Sequence, residues 1–373
     1  MEFTIEKRKK LYKSFINRLE KELENNIEYT KNLQTTKNCN YMTMGLEGKI
    51  YKCEIKTLKL NFIIKLLNLR RISDSKGLYK IYKYSISKIY NYFLTKNVFN
   101  KPTFTELISY ILTNRLVFQK ICPHFVLNYY WDLSKSPDTT ILKQYNEYIN
   151  CCTLDEFFKK STYDYDTCTN ILFQLMVSLY SLKKYYGMLH TDFHLGNILV
   201  QSITPGGFWK YIIDGNTYYL PNLGFQLLLN DFGFAWIPNK LYIKWHRDTT
   251  LKYITKIGME FYDLSKVLRY IFFYNKINQP HFIKLIKTNF IANELNYVLS
   301  KDYYINNDSK LVKNYPDISK RFSGNKMTLS KKIYTIFYEK YNTKHLNIID
   351  KFSLDKNINK NKLPENLQNL VLL

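Results

Sequence analysis

The stretch HTDFHLGN, residues 190–197, combines residue types that can do chemistry. It contains two histidines four residues apart, His190 and His194, with Asp192 between them and Asn197 three residues beyond the second. Two histidines at this spacing on one helix face can bind zinc. An aspartate in a rigid loop can instead orient a hydroxyl and accept its proton, while a nearby amide oxygen binds Mg²⁺ on nucleotide phosphates.

The element that precedes this stretch distinguishes the two chemistries. Residues 169–187 predict a helix with one apolar face, and Gly187 is a typical C-terminal cap. The helix has therefore ended before His190, so the two histidines do not share a helix face. The acid also stands at the wrong position for a zinc helix, and no later cysteine pair offers further ligands. The pattern favours phosphoryl transfer over a metal site built on both histidines.

HTDFHLGN resembles the protein-kinase catalytic loop H-R-D-L-K-x-x-N, which it matches at His190, Asp192 and Asn197. The resemblance implies that Asp192 is the catalytic base, that Asn197 binds metal and that His190 supports the loop. Thr191 replaces the usual arginine, which implies that a phosphorylated activation loop is not the switch in this protein. His194 replaces the usual lysine, as in haspin-like kinases and related small-molecule phosphotransferases. Whether His194 faces the phosphoryl group or only packs the loop is left open.

A second motif of the same family follows in the expected order. LLLNDFGFAW contains Asp231, Phe232 and Gly233 at the end of an apolar strand, and it is similar to the D-F-G motif. The resemblance implies that Asp231 binds the Mg²⁺ or Mn²⁺ that bridges the β- and γ-phosphates of ATP, and that Gly233 supports this turn. The gap between the two motifs exceeds the family's usual spacing. A β-hairpin inserted at about 203–224, with an Asp214-Gly215 turn, accounts for the difference.

The first half of the chain predicts a glycine turn followed by a short antiparallel sheet. TMGLEGKIYKCEI is similar to the glycine-rich loop G-x-G-x-x-G-x-V, with Thr43 in place of the first glycine. FIIKLL follows, and the resemblance implies that Lys65 neutralises the α- and β-phosphates. The residues that the resemblance assigns to the ATP-binding loop are Met44, Gly45, Leu46, Glu47, Gly48, Lys49 and Ile50.

The family's lysine needs a carboxylate partner on a helix. Glu106 is the only glutamate between Lys65 and Glu147, and it stands near the start of a helix predicted from Phe104 to Gln119. We therefore assign Glu106 to this ion pair. The alternative is an acid placed there by the macrodipole of the helix.

Two further positions complete the expected site. The backbone of Glu147, Tyr148 and Ile149 resembles the segment that links the two lobes of a kinase and binds adenine. Asp263 resembles the buried acid that holds the backbone of the catalytic loop, and the alternative is a simple acid at a helix N-terminus. The cofactors implied are ATP and Mg²⁺ or Mn²⁺.

These motifs imply an α+β fold of the bilobal protein-kinase type, with a small β-rich N-lobe and a larger α-helical C-lobe. The first segment is a charged helix that docks on the main domain or is loosely held, and the less favoured alternative is a helix on a membrane surface. We expect only weak helices after about Asn325. The expected divisions are an extension at 1–36, an N-lobe at 37–148 with an insertion at about 70–102, a C-lobe at 149–345 and a Lys/Asn-rich tail at 346–373.

The acceptor substrate follows less directly from the motifs. No A-P-E motif lies between Asp231 and Asp263, an absence shared with haspin-like and small-molecule kinases. The leading prediction is a serine/threonine-protein kinase, similar to those of large DNA viruses in its hairpin insertion and A/T-biased composition. The alternatives are a small-molecule phosphotransferase of the aminoglycoside or choline type, and an inactive pseudokinase scaffold.

Composition limits the partners and the compartment. The formal net charge of +24 suits an acidic protein substrate. It does not require nucleic acid as the main ligand, because A/T-biased coding produces Lys together with abundant Asn, Ile, Tyr and Phe. The N-terminal residues lack an apolar segment, so we expect neither a signal peptide nor a membrane span. Six scattered cysteines favour free thiols in a reducing compartment, namely the cytoplasm of a host cell or a virion. The oligomeric state is not predicted.

Overall fold

The computed structural model describes residues 4–25, 39–44, 48–55, 59–69, 102–135, 140–237, 261–273, 278–290, 327–342 and 371–372. These residues form a mixed α+β structure, as predicted, with a β-rich part in the first half and most of the helices in the second. Residues 45–47 of the glycine turn, nearly all of the insertion predicted at about 70–102, and residues 238–260 lie outside the described ranges.

A five-stranded antiparallel sheet forms the β-rich part. Its strands lie in the order β1–β2–β3–β5–β4. Residues directly opposite one another in a sheet share a face, so Ile50, Lys65 and Gln144 form one row across three neighbouring strands. The strand bounds are Cys39–Met44 for β1, Gly48–Ile55 for β2, Leu60–Leu69 for β3, Asn128–Lys135 for β4 and Thr140–Glu147 for β5.

Helix α1, Ile5–Asn25, packs on the opposite face of this sheet. Phe15 is buried, and its ring centroid lies 5.2 Å from those of both Phe62 and Tyr129. Leu11, another member of the predicted apolar stripe, is partly buried against the same core. The helix is therefore docked, which was one of the alternatives that its sequence left open.

Helix α2, Pro102–Phe118, agrees within two residues with the helix predicted from Phe104 to Gln119. Leu107, Leu112 and Leu116 are buried, and so are the hydroxyls between them. Ser109 Oγ donates to the carbonyl of Thr105 at 2.7 Å, which satisfies this polar group inside the protein. A helix buried on most sides places Glu106, near its start, in the protein interior.

The second half of the chain is mainly helical. Helix α4, Tyr165–Tyr186, is buried from Cys168 to Leu182 and ends at Gly187, whose φ of 62° confirms the predicted cap. Within the described ranges, no helix combines the length and hydropathy that a membrane span requires. The other helices are α3 (Leu154–Lys160), α5 (Tyr262–Phe273), α6 (Pro280–Asn289) and α7 (Leu329–Tyr341).

Helix α7 differs from the weak helices expected in this region. Phe337 is fully buried, and its ring centroid lies 5.1 Å from that of Phe173 in α4. The expectation used local composition alone, whereas packing against α4 also stabilises the helix.

Two three-stranded sheets accompany these helices, in the orders β10–β7–β6 and β11–β8–β9. The predicted turn at Asp214-Gly215 joins β8 to β9, and φ values of 45° and 82° at these residues suit a two-residue hairpin. The strand bounds are Cys151–Thr153 for β6, Ile198–Ser202 for β7, Phe208–Ile213 for β8, Asn216–Pro221 for β9, Phe225–Leu229 for β10 and Val371–Leu372 for β11.

A disulfide joins Cys39 and Cys53, which lie opposite each other in β1 and β2. This pair corrects the expectation that all the cysteines are free thiols. The two residues are 14 positions apart in the sequence, so only the strand register brings them together. Cys122, Cys152 and Cys168 remain thiols.

The disulfide predicts how many thiols react. Protein purified without reductant and unfolded with an alkylating reagent should take up at most four labels, because six cysteines minus the bonded pair leaves four. Intact-mass spectrometry measures this number, and prior reduction should raise it to six. In the control Cys53→Ser, Cys39 has lost its disulfide partner, so prior reduction should no longer release two thiols for labelling from this pair. Six labels on the unreduced wild type would contradict the disulfide.

Candidate active site

Lys65 and Glu106 form an ion pair inside the protein. Lys65 Nζ lies 2.9 Å from Glu106 Oε1 and 3.0 Å from Oε2. The Glu106 side chain is 1% exposed and that of Lys65 12%, so solvent screens the pair weakly. The buried helix α2 supplies the carboxylate, and the apolar neighbours of Lys65 in β3 hold its amine against it. The structure therefore brings together the two residues that the sequence paired.

Asp231 is a second carboxylate near Lys65. Its Oδ1 lies 3.7 Å from Lys65 Nζ, and its side chain is 45% exposed. The φ of Asp231 is 58°, in the left-handed region that is strained for residues other than glycine. A Cβ on Gly233 would lie 3.4 Å from Pro102 Cβ, an ordinary contact, so packing does not require glycine there. An accessible carboxylate beside a lysine can bind a cation from solvent, which the buried Glu106 cannot.

Asp192 and Asn197 are joined directly. Asn197 Nδ2 donates to the backbone carbonyl of Asp192 at 3.0 Å and to its Oδ2 at 3.3 Å. Because these contacts use the amide nitrogen, the amide oxygen is the atom that can bind a cation. The backbone N–H of Asn230 donates to the carbonyl of Asn197 at 3.0 Å. The loop that contains Asp192 therefore lies beside the residue that precedes Asp231.

Asp263, in α5, holds the backbone of this loop. Its Oδ2 accepts the N–H of His190 at 2.7 Å, and its Oδ1 accepts the N–H of Thr191 at 2.8 Å. Burial raises the pKa of Asp263 above its usual range, while the charges of His190 and Lys266 and the two N–H groups act in the opposite direction. Asp263 thus makes both contacts expected of a loop anchor, in addition to standing at a helix N-terminus.

Thr191 links the loop to the segment that follows Asp231. Its φ is 61°, an unfavourable value for a β-branched residue. The Thr191 Oγ1 donates to the carbonyl of Phe234, and Lys266 Nζ donates to the carbonyl of Thr191. Sequence reasoning treated Thr191 only as a missing arginine. The signal that it missed is a short hydroxyl side chain, which can bond to nearby backbone.

A buried cluster of three aromatic rings connects α2 with the loop. The ring centroids of His190 and Phe232 are 4.7 Å apart, and those of Phe232 and Tyr110 are 5.8 Å apart. His190 Nε2 donates to the carbonyl of Asn230 at 2.9 Å, and Tyr110 Oη donates to Asn230 Oδ1 at 2.7 Å. Burial raises the pKa of Tyr110, so its hydroxyl stays protonated and remains a donor. Neither Tyr110 nor Asn230 was singled out from the sequence.

His194 makes contacts through both of its ring nitrogens. Nδ1 accepts the N–H of Gly196 at 3.1 Å, and Nε2 lies 3.7 Å from Asp192 Oδ2. A Cβ on Gly196 would lie 3.0 Å from the imidazole, so the ring position favours glycine at that residue. His194 therefore caps the short 3₁₀ turn Leu195–Asn197 with one nitrogen and directs the other towards the Asp192 carboxylate.

The described part of the glycine turn comprises its two flanking strands. Met44 ends β1 and is exposed, Gly48 and Lys49 begin β2, and Ile50 shares a sheet face with Lys65. A Cβ on Gly48 would lie 1.8 Å from the carbonyl oxygen of Leu66 in β3, so close strand packing requires glycine at that position. Gly45, Leu46 and Glu47 lie outside the described residues.

The segment Glu147 to Ile149 begins at the last residue of β5, and hydrogen bonds hold the chain at its start and just beyond its end. The N–H of Glu147 donates to the carbonyl of Leu127 at 2.8 Å, so adenine would have to contact other backbone groups of the segment. Lys52 Nζ lies 4.1 Å from the ring centroid of Tyr148. The N–H of Asn150 donates to Gln201 Oε1 at 2.9 Å. The Glu147 carboxylate is buried and bound to Arg8 of α1.

The described residues contain no group of three or more His, Cys, Asp or Glu side chains that could hold a metal ion. His190 is buried in the cluster of aromatic rings and His194 caps a turn, so the two histidines do not form a zinc site in the described structure. Asn197 and Asp231 each offer an oxygen, the ligand type that Mg²⁺ and Mn²⁺ prefer. Two protein ligands of this kind suit a cation that nucleotide phosphates also bind.

Comparisons with known proteins give partial similarities to viral proteins, and no family model matches the chain. The chain is 37% identical over 70 residues, 18% of its length, to "Putative serine/threonine-protein kinase 019R" of Frog virus 3 (isolate Goorha). It is 35% identical over 72 residues, 19% of its length, to "Probable serine/threonine-protein kinase 380R" of Invertebrate iridescent virus 6. It is 26% identical over 146 residues, 34% of its length, to "Uncharacterized protein 011L" of Invertebrate iridescent virus 3.

The matched stretches cover 8%, 14% and 19% of these three relatives, so the chain spans less than a fifth of each. Two of the three carry serine/threonine-protein kinase names. The similarities therefore indicate a kinase-like relationship over part of the chain.

The anchoring contacts of Asp263 predict a loss of stability in Asp263→Asn. An amide has one acceptor oxygen, so the buried N–H of His190 or of Thr191 loses its partner, at a cost of about 1–3 kcal/mol in the free energy of unfolding. Urea unfolding measures this change. The control is Asp166→Asn, whose 76% exposed side chain pairs with Lys340 and should contribute less than about 1 kcal/mol. Equal losses in the two variants would contradict the anchoring role.

Proposed function

We propose that this protein is an ATP-dependent protein kinase that transfers the γ-phosphoryl group of ATP to serine or threonine hydroxyls of proteins. The observation that carries the proposal is the position of the Lys65 amine, 2.9 Å from the buried Glu106 and 3.7 Å from the accessible Asp231. The serine/threonine-protein kinase names of two viral relatives support it. The proposal includes the bilobal kinase fold and a haspin-like catalytic loop.

The chemistry assigns one role to each group. Asp192 accepts the proton of the acceptor hydroxyl as the hydroxyl oxygen bonds to the γ-phosphorus, and the bond to the β,γ-bridging oxygen breaks to release ADP. Glu106 holds the Lys65 ammonium where the α- and β-phosphates would bind. Asn197 and Asp231 would hold Mg²⁺ or Mn²⁺, which neutralises phosphate charge when bound.

The net charge of +24 supports an acidic protein as the acceptor, since a basic surface attracts such substrates. We further propose a viral kinase that acts in the cytoplasm of a host cell or within the virion. The viral sources of the similar proteins support this part of the proposal.

Removal of either proposed acidic group should abolish most of the activity. We expect Asp192→Ala and Asp231→Ala each to lower phosphoryl transfer from MgATP to an acidic, casein-like protein by about 10²- to 10⁴-fold. Initial rates with labelled ATP measure the change, and circular dichroism checks that the variants fold. Lys10→Met, which removes an exposed lysine of α1, should retain the wild-type rate.

Two results would contradict this assignment. Equal residual transfer in the wild type and both aspartate variants would mean that the activity does not use this site. A folded wild type that transfers no phosphoryl group would instead favour a pseudokinase scaffold.

A small-molecule phosphotransferase is the second candidate, suggested by His194 together with the absence of an A-P-E motif between Asp231 and Asp263. We expect no labelled product when the wild type is incubated with MgATP and a panel of aminoglycosides and choline-like alcohols. Thin-layer chromatography of the products measures this transfer beside the protein acceptor. Transfer to the alcohols alone would replace the protein-kinase proposal with this second candidate.

A further inference from the structure

Arg8, in helix α1, is a buried cation with a 1% exposed side chain. It lies far from the candidate catalytic residues in the sequence. Its Nε donates to Glu147 Oε1 at 2.9 Å, and its Nη2 donates to Oε2 at 2.7 Å. Its Nη1 donates to the carbonyl of Pro123 at 2.7 Å, and Nη2 also donates to the carbonyl of Phe125. All three nitrogens of the guanidinium are therefore used, and the carboxylate is bound through both oxygens.

The first partner of Arg8 belongs to the proposed adenine end of the site. Glu147 is the last residue of β5, where the chain enters the segment that we assign to adenine. Glu147 Oε2 also accepts the N–H of Leu127 at 3.1 Å, so the carboxylate links α1 to the start of β4. The position of this carboxylate therefore sets where the adenine segment begins.

The second set of partners leads to the proposed metal end. Pro123 and Phe125 flank His124, whose carbonyl accepts the N–H of Leu229 at 2.8 Å. The carbonyl of Leu229 in turn accepts the N–H of Val126 at 3.1 Å. Leu229 ends β10, two residues before Asp231. One guanidinium therefore connects the strand ends that position the two opposite ends of the proposed nucleotide site.

The chemistry of the Arg8–Glu147 pair indicates that it orients neighbouring groups rather than only stabilising the docking of α1. Burying a guanidinium and a carboxylate removes two charges from water, and apolar side chains of similar volume often stabilise a fold as well or better. Tyr12 and Phe15 already pack α1 on the sheet through ring contacts with Tyr129 and Phe62. The pair adds direction, because the planar fork of arginine fixes the angle as well as the distance of its partners.

We propose that α1 is a positioning element of the nucleotide site and that Arg8 is its positioning residue. Arg8 holds the Glu147 carboxylate and the carbonyls of Pro123 and Phe125 around one guanidinium, which fixes the adenine segment relative to the chain that leads from β10 to Asp231. The inference rests on the proposed function, since it concerns the same nucleotide site. Arg8 acts through these neighbours and does not itself contact ATP.

The test is Arg8→Lys in the full-length protein. Lysine keeps the positive charge, but a single ammonium cannot hold the carboxylate and both carbonyls in the same geometry. We expect the Kd of a fluorescent ATP analogue with Mg²⁺, and the KM for ATP, to rise about tenfold, with kcat changing less than about threefold. The matched control, Lys10→Met in the same helix, should leave all three values unchanged.

Binding is measured below the unfolding temperature of every variant, so that loss of fold is separated from loss of position. A lower Tm with an unchanged Kd in Arg8→Lys would show a merely structural role. That result would overturn this inference and leave the proposed function standing. If Arg8→Lys does not fold, Glu147→Gln provides the second variant, and an unchanged Kd there would overturn the inference equally. A folded wild type that does not bind the analogue would overturn the proposed function and this inference with it.

Discussion

The candidate site depends on the hydrogen bonds that the buried carboxylate of Asp263 accepts. This carboxylate accepts the N–H groups of His190 and Thr191, the two residues before Asp192, and so fixes the direction in which the chain reaches the proposed base. Thr191 has a left-handed φ, which costs about 1–2 kcal/mol for a residue other than glycine. That cost is offset because its N–H, hydroxyl and carbonyl are all hydrogen-bonded. The loop is therefore held in a conformation that it would not adopt alone.

Two buried glutamates extend the same principle to the β-rich part. Glu106 is matched by Lys65 from β3, and Glu147 is matched by Arg8 from α1. A carboxylate buried without its cation would destabilise the fold by roughly 3–5 kcal/mol, so each pair makes the docking of a helix necessary for a stable protein. The pairs use different cations for different tasks. The amine of Lys65 is partly accessible, whereas the fully buried guanidinium of Arg8 binds the Glu147 carboxylate and the carbonyls of Pro123 and Phe125.

The sequence predicted those parts of the fold that have a local signal. Gly187 marked the end of α4, and Asp214-Gly215 marked the hairpin turn, because both are conformational requirements of single residues. The pairing of Lys65 with Glu106 was predictable because composition leaves no other glutamate in the intervening segment. The strand register, by contrast, has no local signal, and Cys39 was paired only by the structure.

The Arg8–Glu147 contact joins residues 139 positions apart, and Arg8 is one of 55 basic residues in the chain. Nothing in the charge pattern of α1 distinguishes it from the neighbouring lysines. Gly48 illustrates a different limit, since resemblance assigned it to phosphate contact whereas the structure shows that the Leu66 carbonyl leaves no space for a side chain. One residue can satisfy both requirements, and the sequence pattern cannot separate them.

In the proposed function, the contacts of the loop that contains Asp192 explain how it keeps its position without the arginine of the kinase loops that it resembles. The Thr191 hydroxyl donates to the carbonyl of Phe234, and Tyr110 Oη donates to Asn230 Oδ1. Both acceptors lie within three residues of Asp231 in the sequence. Both donors are neutral hydroxyls, and neither contact needs an added phosphate. Among the described residues, the relative position of Asp192 and Asp231 is therefore set by hydrogen bonds that form as the chain folds. A phosphate group near this loop would find a threonine at position 191, which carries no charge to bind it.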